Sequence, residues 1–124
     1  MVINLPPASA AWLYQFPIAD CTVKYARAHH DYPATDILAK KGCAFVAPID
    51  GVVEDVNSKD IWSSKNNRGQ DRGGLSVSII GIDGVRYYGS HLISIADGIA
   101  PGVNVLAGDL LGKVGSSGSA LEFL

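Results

Sequence analysis

The sequence is poor in the features that announce most functions. It has no cluster of Lys or Arg, and a formal net charge of -2 from 12 acidic and 10 basic residues, which argues against a nucleic-acid-binding stripe. No apolar run approaches the roughly 20 residues of a membrane span. The first eleven residues lack a basic n-region and do not read as a secretory signal. There are only two cysteines, Cys21 and Cys43, with no CxxC spacing, so a structural zinc knuckle is not expected. The pair could form a disulfide in an oxidising compartment or remain as two buried thiols, and the sequence leaves both readings open. No segment sustains a 3.6-residue apolar period, which speaks against helix. There is neither an internal repeat nor a low-complexity tract.

What is present is glycine, 14 residues of it in 124, with 48% hydrophobic residues in short runs. One domain of an all-β, antiparallel sheet or sandwich type is expected. Residues 1–20, with Pro6, Pro7 and Pro17, read as an extended lead-in, and residues 21–124 as the domain. Ala44–Pro48 and Val52–Val56 are predicted as short strands either side of a tight turn at Asp50-Gly51. Asp60–Gly74 is polar and glycine-rich, and reads as a long surface loop. The clearest hairpin joins Leu75–Ile80 to Val85–Leu92 through Gly81-Ile82-Asp83-Gly84. A period of two puts Leu75, Val77 and Ile79 on one face, with Ser76 and Ser78 on the other. On the return strand it puts Val85, Tyr87, Gly89 and His91 on one face. Ile99–Leu106 and Asp109–Val114 are two further strands around Ala107-Gly108.

Three histidines carry most of the available chemistry: His29, His30 and His91. His29-His30-Asp31-Tyr32-Pro33-Ala34-Thr35-Asp36 places imidazoles and carboxylates a few residues apart, with Pro33 favouring a bend that would let them share a metal. Such a run is more often a solvated turn. His91 ends a predicted strand, where an imidazole can serve as general acid or base or steady an oxyanion. The simpler reading of His91 is a half-buried side chain bonded to a carbonyl.

Read together, Asp36-Ile37, Gly42, Phe45-Val46-Ala47-Pro48, Asp50-Gly51-Val52-Val53, Gly73-Gly74-Leu75-Ser76-Val77, Tyr88-Gly89-Ser90-His91-Leu92, Gly102, Gly108 and Leu111-Gly112-Lys113-Val114-Gly115-Ser116-Ser117-Gly118 resemble the ordered landmarks of the lysostaphin-like, LytM-type zinc endopeptidases of bacterial cell walls. The match runs from about Cys21 to Ala120. The resemblance implies a lysostaphin-like β-fold, a Zn2+ cofactor, peptidoglycan peptide cross-links as partners, and an extracellular or cell-envelope location. It implies Asp36 as one metal ligand and His30 as another, with His29 the alternative to His30. The usual His-x-x-x-Asp spacing would put Tyr32 at the ligand, so this chain resembles the subgroup reading His-His-Asp-Tyr-Pro-Ala-x-Asp. His91 matches the catalytic histidine that does not bind metal.

The family's second motif, His-x-His, supplies the third ligand, yet no histidine follows His91 here. Two expectations follow from the closing Ser119-Ala120-Leu121-Glu122-Phe123-Leu124. Either the chain is truncated before the motif and its last strand, leaving it inactive, or Leu121-Glu122-Phe123 is a degenerate motif with Glu122 as ligand. A second function would be a catalytically dead relative that binds peptidoglycan or regulates another cell-wall hydrolase. A third, a biotinyl- or lipoyl-type carrier, is suggested by Ala47–Val53 but lacks a Met-Lys-Met hairpin, since Met1 is the only methionine.

Overall fold

The computed structural model describes residues 13–19, 21–25, 37–63, 65 and 73–116. Nine strands lie among them, with no helix: β1 (Ile18–Ala19), β2 (Val23–Tyr25), β3 (Ile37–Ala39), β4 (Ala44–Val46), β5 (Gly51–Asn57), β6 (Leu75–Gly81), β7 (Arg86–Ile95), β8 (Asn104–Val105) and β9 (Leu110–Val114). Seven form one antiparallel sheet in the order β1-β4-β9-β7-β6-β5-β8, and β2 and β3 form a separate antiparallel pair. The chain is thus all-β and antiparallel, as its alternating short runs imply.

The β6–β7 hairpin is the centre of the sheet. Its turn closes with Gly81 N–H donating to the Val85 carbonyl at 2.8 Å and Gly84 N–H to the Gly81 carbonyl at 2.9 Å. Gly84 sits at φ +79°, where a side chain would be strained. Val77 and Ile79 of β6 are fully buried and join Val53, Phe45, Ala47, Leu92, Val105 and Leu111 in one core. β7 comes close to that core because Gly89 has no side chain: a Cβ there would overlap the Phe45 ring.

The opposite face is less polar in its burial than the alternation suggests. Ser78 is only 2% exposed. Its hydroxyl donates to Glu54 Oε1 at 2.8 Å, and Arg86 Nε donates to the same oxygen at 2.6 Å, so two long side chains close over it. The Arg86 guanidinium carbon also lies 5.1 Å from the Tyr88 ring centroid, within cation–π range. Arg86, and then Ser78, hold the Glu54 carboxyl below its ordinary pKa.

Two sequence expectations change. Asp50-Gly51 does not close a hairpin: β4 pairs with β1 and β9, whereas β5 pairs with β6 and β8. The Asp50 carboxylate instead accepts the Ala107 N–H at 2.7 Å, and its carbonyl accepts the Ile82 N–H at 2.9 Å, so this bend carries the chain across the sheet. Of Ile99–Leu106, only Asn104–Val105 is strand. Turns bonded from Ile99 to Ala96 and from Val103 to Ala100 precede it, the second spanning Pro101, which has no N–H to give a ladder.

The described part of the lead-in, residues 13–19, is tied to the sheet. Gln15 N–H donates to the Pro48 carbonyl at 2.7 Å, Val46 N–H to the Pro17 carbonyl at 2.8 Å, and β1 pairs with β4. Asp83 Oδ2 accepts both the Tyr14 hydroxyl at 2.9 Å and the Tyr87 hydroxyl at 2.7 Å. Desolvation pushes the Asp83 carboxyl upward, but hydrogen bonds from Tyr87, the Val85 N–H and Tyr14 outweigh it and leave the pKa below its ordinary value. Desolvation, then the bond to Asp83, raises Tyr87 strongly.

A pH dependence follows from these signs. A depressed carboxylate stabilises the fold above its unfolded pKa of about 3.9, and that stability is lost as pH falls through the folded value. A raised phenol contributes fully below its unfolded pKa of about 10, and is lost as pH rises beyond it. The urea midpoint is therefore expected to fall on both sides of this window. Asp83→Asn should flatten the acid limb and Tyr87→Phe the alkaline one; unchanged limbs would remove this trio from the account.

Candidate functional site

His91 owes its position to an irregularity in β7. Leu75 pairs with Leu92 and Val77 with Gly89, so Ser90 and His91 together oppose Ser76 alone. On the other flank, Leu92 pairs with Val114 and Ser94 with Lys113, leaving Ile93 as a second extra residue. Such bulges bend a strand and re-aim side chains. His91 adopts φ +56°, the one positive φ outside glycine among the described residues. Its N–H donates to the Gly73 carbonyl at 2.6 Å, and its carbonyl accepts the Gly115 N–H at 3.0 Å. The left-handed conformation is thus clamped from both neighbouring segments, as a sparsely populated backbone state requires.

The expected sharing of one face by Val85, Tyr87, Gly89 and His91 therefore ends at Gly89. The core position after Gly89 is taken by Leu92, which is 1% exposed, while His91 is half-buried. The signal in the sequence was Leu92 itself: a core leucine three residues beyond Gly89 requires one extra residue between them.

Several segments meet at this end of the sheet. Gly42 N–H donates to the Val114 carbonyl at 2.7 Å and Val114 N–H to the Cys43 carbonyl at 2.8 Å, which brings the β3–β4 turn against the end of β9. Gly115 lies tightly on β7, since a Cβ there would stand 2.6 Å from the Ile93 nitrogen. A cavity of about 320 Å³ is lined by Lys41, Asp60, Leu75, Leu92, Ile93 and Ser116. Asp60 belongs to the loop expected over Asp60–Gly74; its described parts, residues 60–63, 65 and 73–74, contain no strand.

The candidate metal ligands, His29, His30, Asp36 and Glu122, lie outside the described residues. What is described is the stem that carries the first three: Tyr25 pairs directly with Ile37, so residues 26–36 connect two paired strands. That hairpin is fastened by a disulfide between Cys21 and Cys43, with Cα atoms 6.0 Å apart, within the usual range for the bond. Of the two readings of these cysteines, the bonded one holds. Among the described residues, no three of His, Cys, Asp and Glu gather as a metal-holding group.

Solved structures share this architecture. A protein assigned as the glycyl-glycine endopeptidase LytM of Ruminococcus gnavus is 28% identical, with a TM-score of 0.63 over 86% of this chain and 45% of its own. Lysostaphin is 26% identical, with a TM-score of 0.53 over 77% of this chain and 38% of its own. The chain is a lysostaphin-like, LytM-type domain. The fold of Helicobacter pylori Csd3 is also shared, at 23% identity and a TM-score of 0.59 over 86% of this chain and 28% of its own. The LytM-type domain described here thus spans less than half the length of each of these proteins. No family profile and no curated protein matches its sequence.

Proposed function

We propose that this LytM-type domain belongs to a zinc metallopeptidase acting on the peptide cross-links of peptidoglycan. The observation that carries the reading is the bulge that holds His91 in a left-handed conformation on a LytM-type sheet. Support comes from the glycyl-glycine endopeptidase activity named for one structural neighbour. A disulfide suits the oxidising surroundings of an extracellular or cell-envelope protein.

In this reading His30 and Asp36 hold Zn2+, with His29 the alternative to His30. Imidazole nitrogen and carboxylate oxygen are both ordinary zinc donors. Bound zinc would supply an acidified water and polarise the scissile carbonyl. His91 then acts as proton carrier or oxyanion donor, at an imidazole whose backbone is already fixed. The peptide lies along the end of the sheet near Leu92 and Ile93.

A catalytic zinc site takes three protein ligands, and these 124 residues offer no histidine beyond His91. We therefore propose that the 124 residues by themselves bind zinc weakly and cut slowly, Glu122 being the only carboxylate near the position of the missing motif. The second reading is a non-catalytic domain that binds peptidoglycan or regulates another hydrolase. One set of measurements separates them: zinc content, and peptides released from purified cell walls, for this chain and for one extended by a His-Leu-His-Phe strand. The extended chain is expected to hold one zinc and to release peptides. His30→Ala and Asp36→Ala should lose the metal, whereas His91→Ala should keep it and lose cleavage. Zinc loss in His91→Ala would make it a ligand, and cell-wall binding without release by the extended chain would favour the second reading.

A further inference from the structure

Asn57 is the last residue of β5, and the loop of residues 58–74 leaves from it and returns beside it at β6. Its side chain holds both ends of that loop. The amide Nδ2 donates to the Gly74 carbonyl at 2.7 Å, and Oδ1 accepts the Lys59 N–H at 3.2 Å. One partner is an acceptor and the other a donor, which fixes the orientation of the side-chain amide. Gly74 is buried, and a buried carbonyl needs a donor. Asn57 supplies it from the neighbouring strand.

The loop end that Asn57 grips is the one that touches His91. Gly74 turns at φ +59°, directly after Gly73, whose carbonyl accepts the His91 N–H at 2.6 Å. Gly73 is pressed onto β7: a Cβ there would stand 2.5 Å from the Tyr88 hydroxyl and 3.4 Å from the Ser90 Cβ. Strand register supplies a second link. Asn57 pairs with Ser76, and Ser76 is the residue that faces the bulge at Ser90 and His91. Asn57 and the bulge thus flank one residue of β6 from opposite sides. The same loop brings Asp60 to the cavity of about 320 Å³ beside Leu92 and Ile93.

We infer that Asn57 is a positioning residue: through Gly74 and Gly73 it fixes the carbonyl that keeps the His91 backbone left-handed, and so sets where the imidazole sits. Its bearing on catalysis rests on the role proposed for His91, whereas the link to the backbone does not. A left-handed backbone is sparsely populated outside glycine and persists only where the surroundings hold it. His91 has two such holds, Gly73 on its N–H and Gly115 on its carbonyl. Gly115 is packed directly on β7. Gly73 instead ends a long loop, whose carbonyl stays in place only if the base of the loop is clamped. An asparagine meets that need because it offers donor and acceptor together; aspartate lacks the donor and alanine lacks both.

The test uses the full chain, isotope-labelled for NMR at neutral pH, with its Asn57→Ala and Asn57→Asp variants. In both variants the His91 amide is expected to exchange about tenfold faster, the factor set by the net worth of one hydrogen bond, while the amides of residues 77–79 keep their rates. The intraresidue NOE between the His91 amide and α protons, strong in the left-handed region, should weaken. Asn57→Asp should match Asn57→Ala, because the Gly74 carbonyl loses its donor in both, and it decides alone if Asn57→Ala does not fold. An unchanged His91 amide and NOE in Asn57→Asp overturn the inference. So does faster exchange shared equally by His91 and residues 77–79, which would make Asn57 a general support of the sheet. None of these readouts involves metal or substrate, so a failure to bind zinc or to cleave would count against the proposed function and leave this link intact.

Discussion

Breaking the Cys21–Cys43 bond, by reduction or by a Cys21→Ser, Cys43→Ala double variant, is expected to lower stability by about 3 kcal/mol. The bond closes a loop of sequence separation 22, and the chain-entropy model gives about that value for such a loop. Total stability for a chain of this length is of order 6–18 kcal/mol, so the loss is a large share. It also has an address. Among the described residues, β2 and β3 pair only with each other, and an isolated two-stranded ribbon is marginal in water. The disulfide joins that ribbon to Cys43, next to β4 of the large sheet. Urea unfolding with and without reductant measures the loss, and hydrogen exchange locates it. Faster exchange in Val23–Tyr25 and Ile37–Ala39 ahead of β6 and β7 is the expected pattern, whereas an unchanged urea midpoint would show the bond to be dispensable.

Ile79→Ala is expected to cost 2–5 kcal/mol, the range for truncating a large buried aliphatic. Ile79 has no exposed surface and packs in the cluster formed with Phe45, Val53, Val77, Leu92 and Leu111. Gly89→Ala should act in the opposite sense on volume yet also destabilise, by about 1–3 kcal/mol, because the new methyl meets the Phe45 ring in a filled core. A lower urea midpoint at constant slope would report lost stability in both variants. A cost below about 0.5 kcal/mol for Ile79→Ala would place it with surface substitutions and contradict the core as described.

The residues that fixed the large features are easy to name. Alternation from Leu75 to Ile79 and the glycine-bounded turn at Gly81–Gly84 are local patterns, and β6 and β7 follow them. Partner choice is not local. Asp50-Gly51 has the composition of a tight turn, but whether it joins neighbouring strands depends on Ala107 and Ile82, which lie far along the chain. Ile99–Leu106 has strand-like residues whose ladder Pro101 interrupts. In the candidate site, the role given to His91 rests on its motif context, and the structure adds the bulge that sets its backbone. That bulge was not legible in composition, because a one-residue offset leaves composition untouched and shows only in the spacing of core residues. His29, His30, Asp36 and Glu122 rest on the motif resemblance and on the zinc measurement proposed above.

The offset at Ser90 and His91 makes β7 sensitive to length rather than to identity. In a strand, removing one residue turns every following side chain to the other face. Deleting Ser90 is a different case, because it removes the extra residue of a bulge: Leu92 would then lie two residues beyond Gly89, still on the core face and still opposite Leu75. The β9 ladder, which begins at Leu92 and Val114, would keep its start, whereas His91 would fall opposite Ser76 in ordinary alternation and lose the bulge that holds it at φ +56°. Ser90 therefore works as a spacer for His91 rather than for the core: its side chain can be exchanged, but the peptide unit it contributes sets the histidine's backbone apart from the rest of β7.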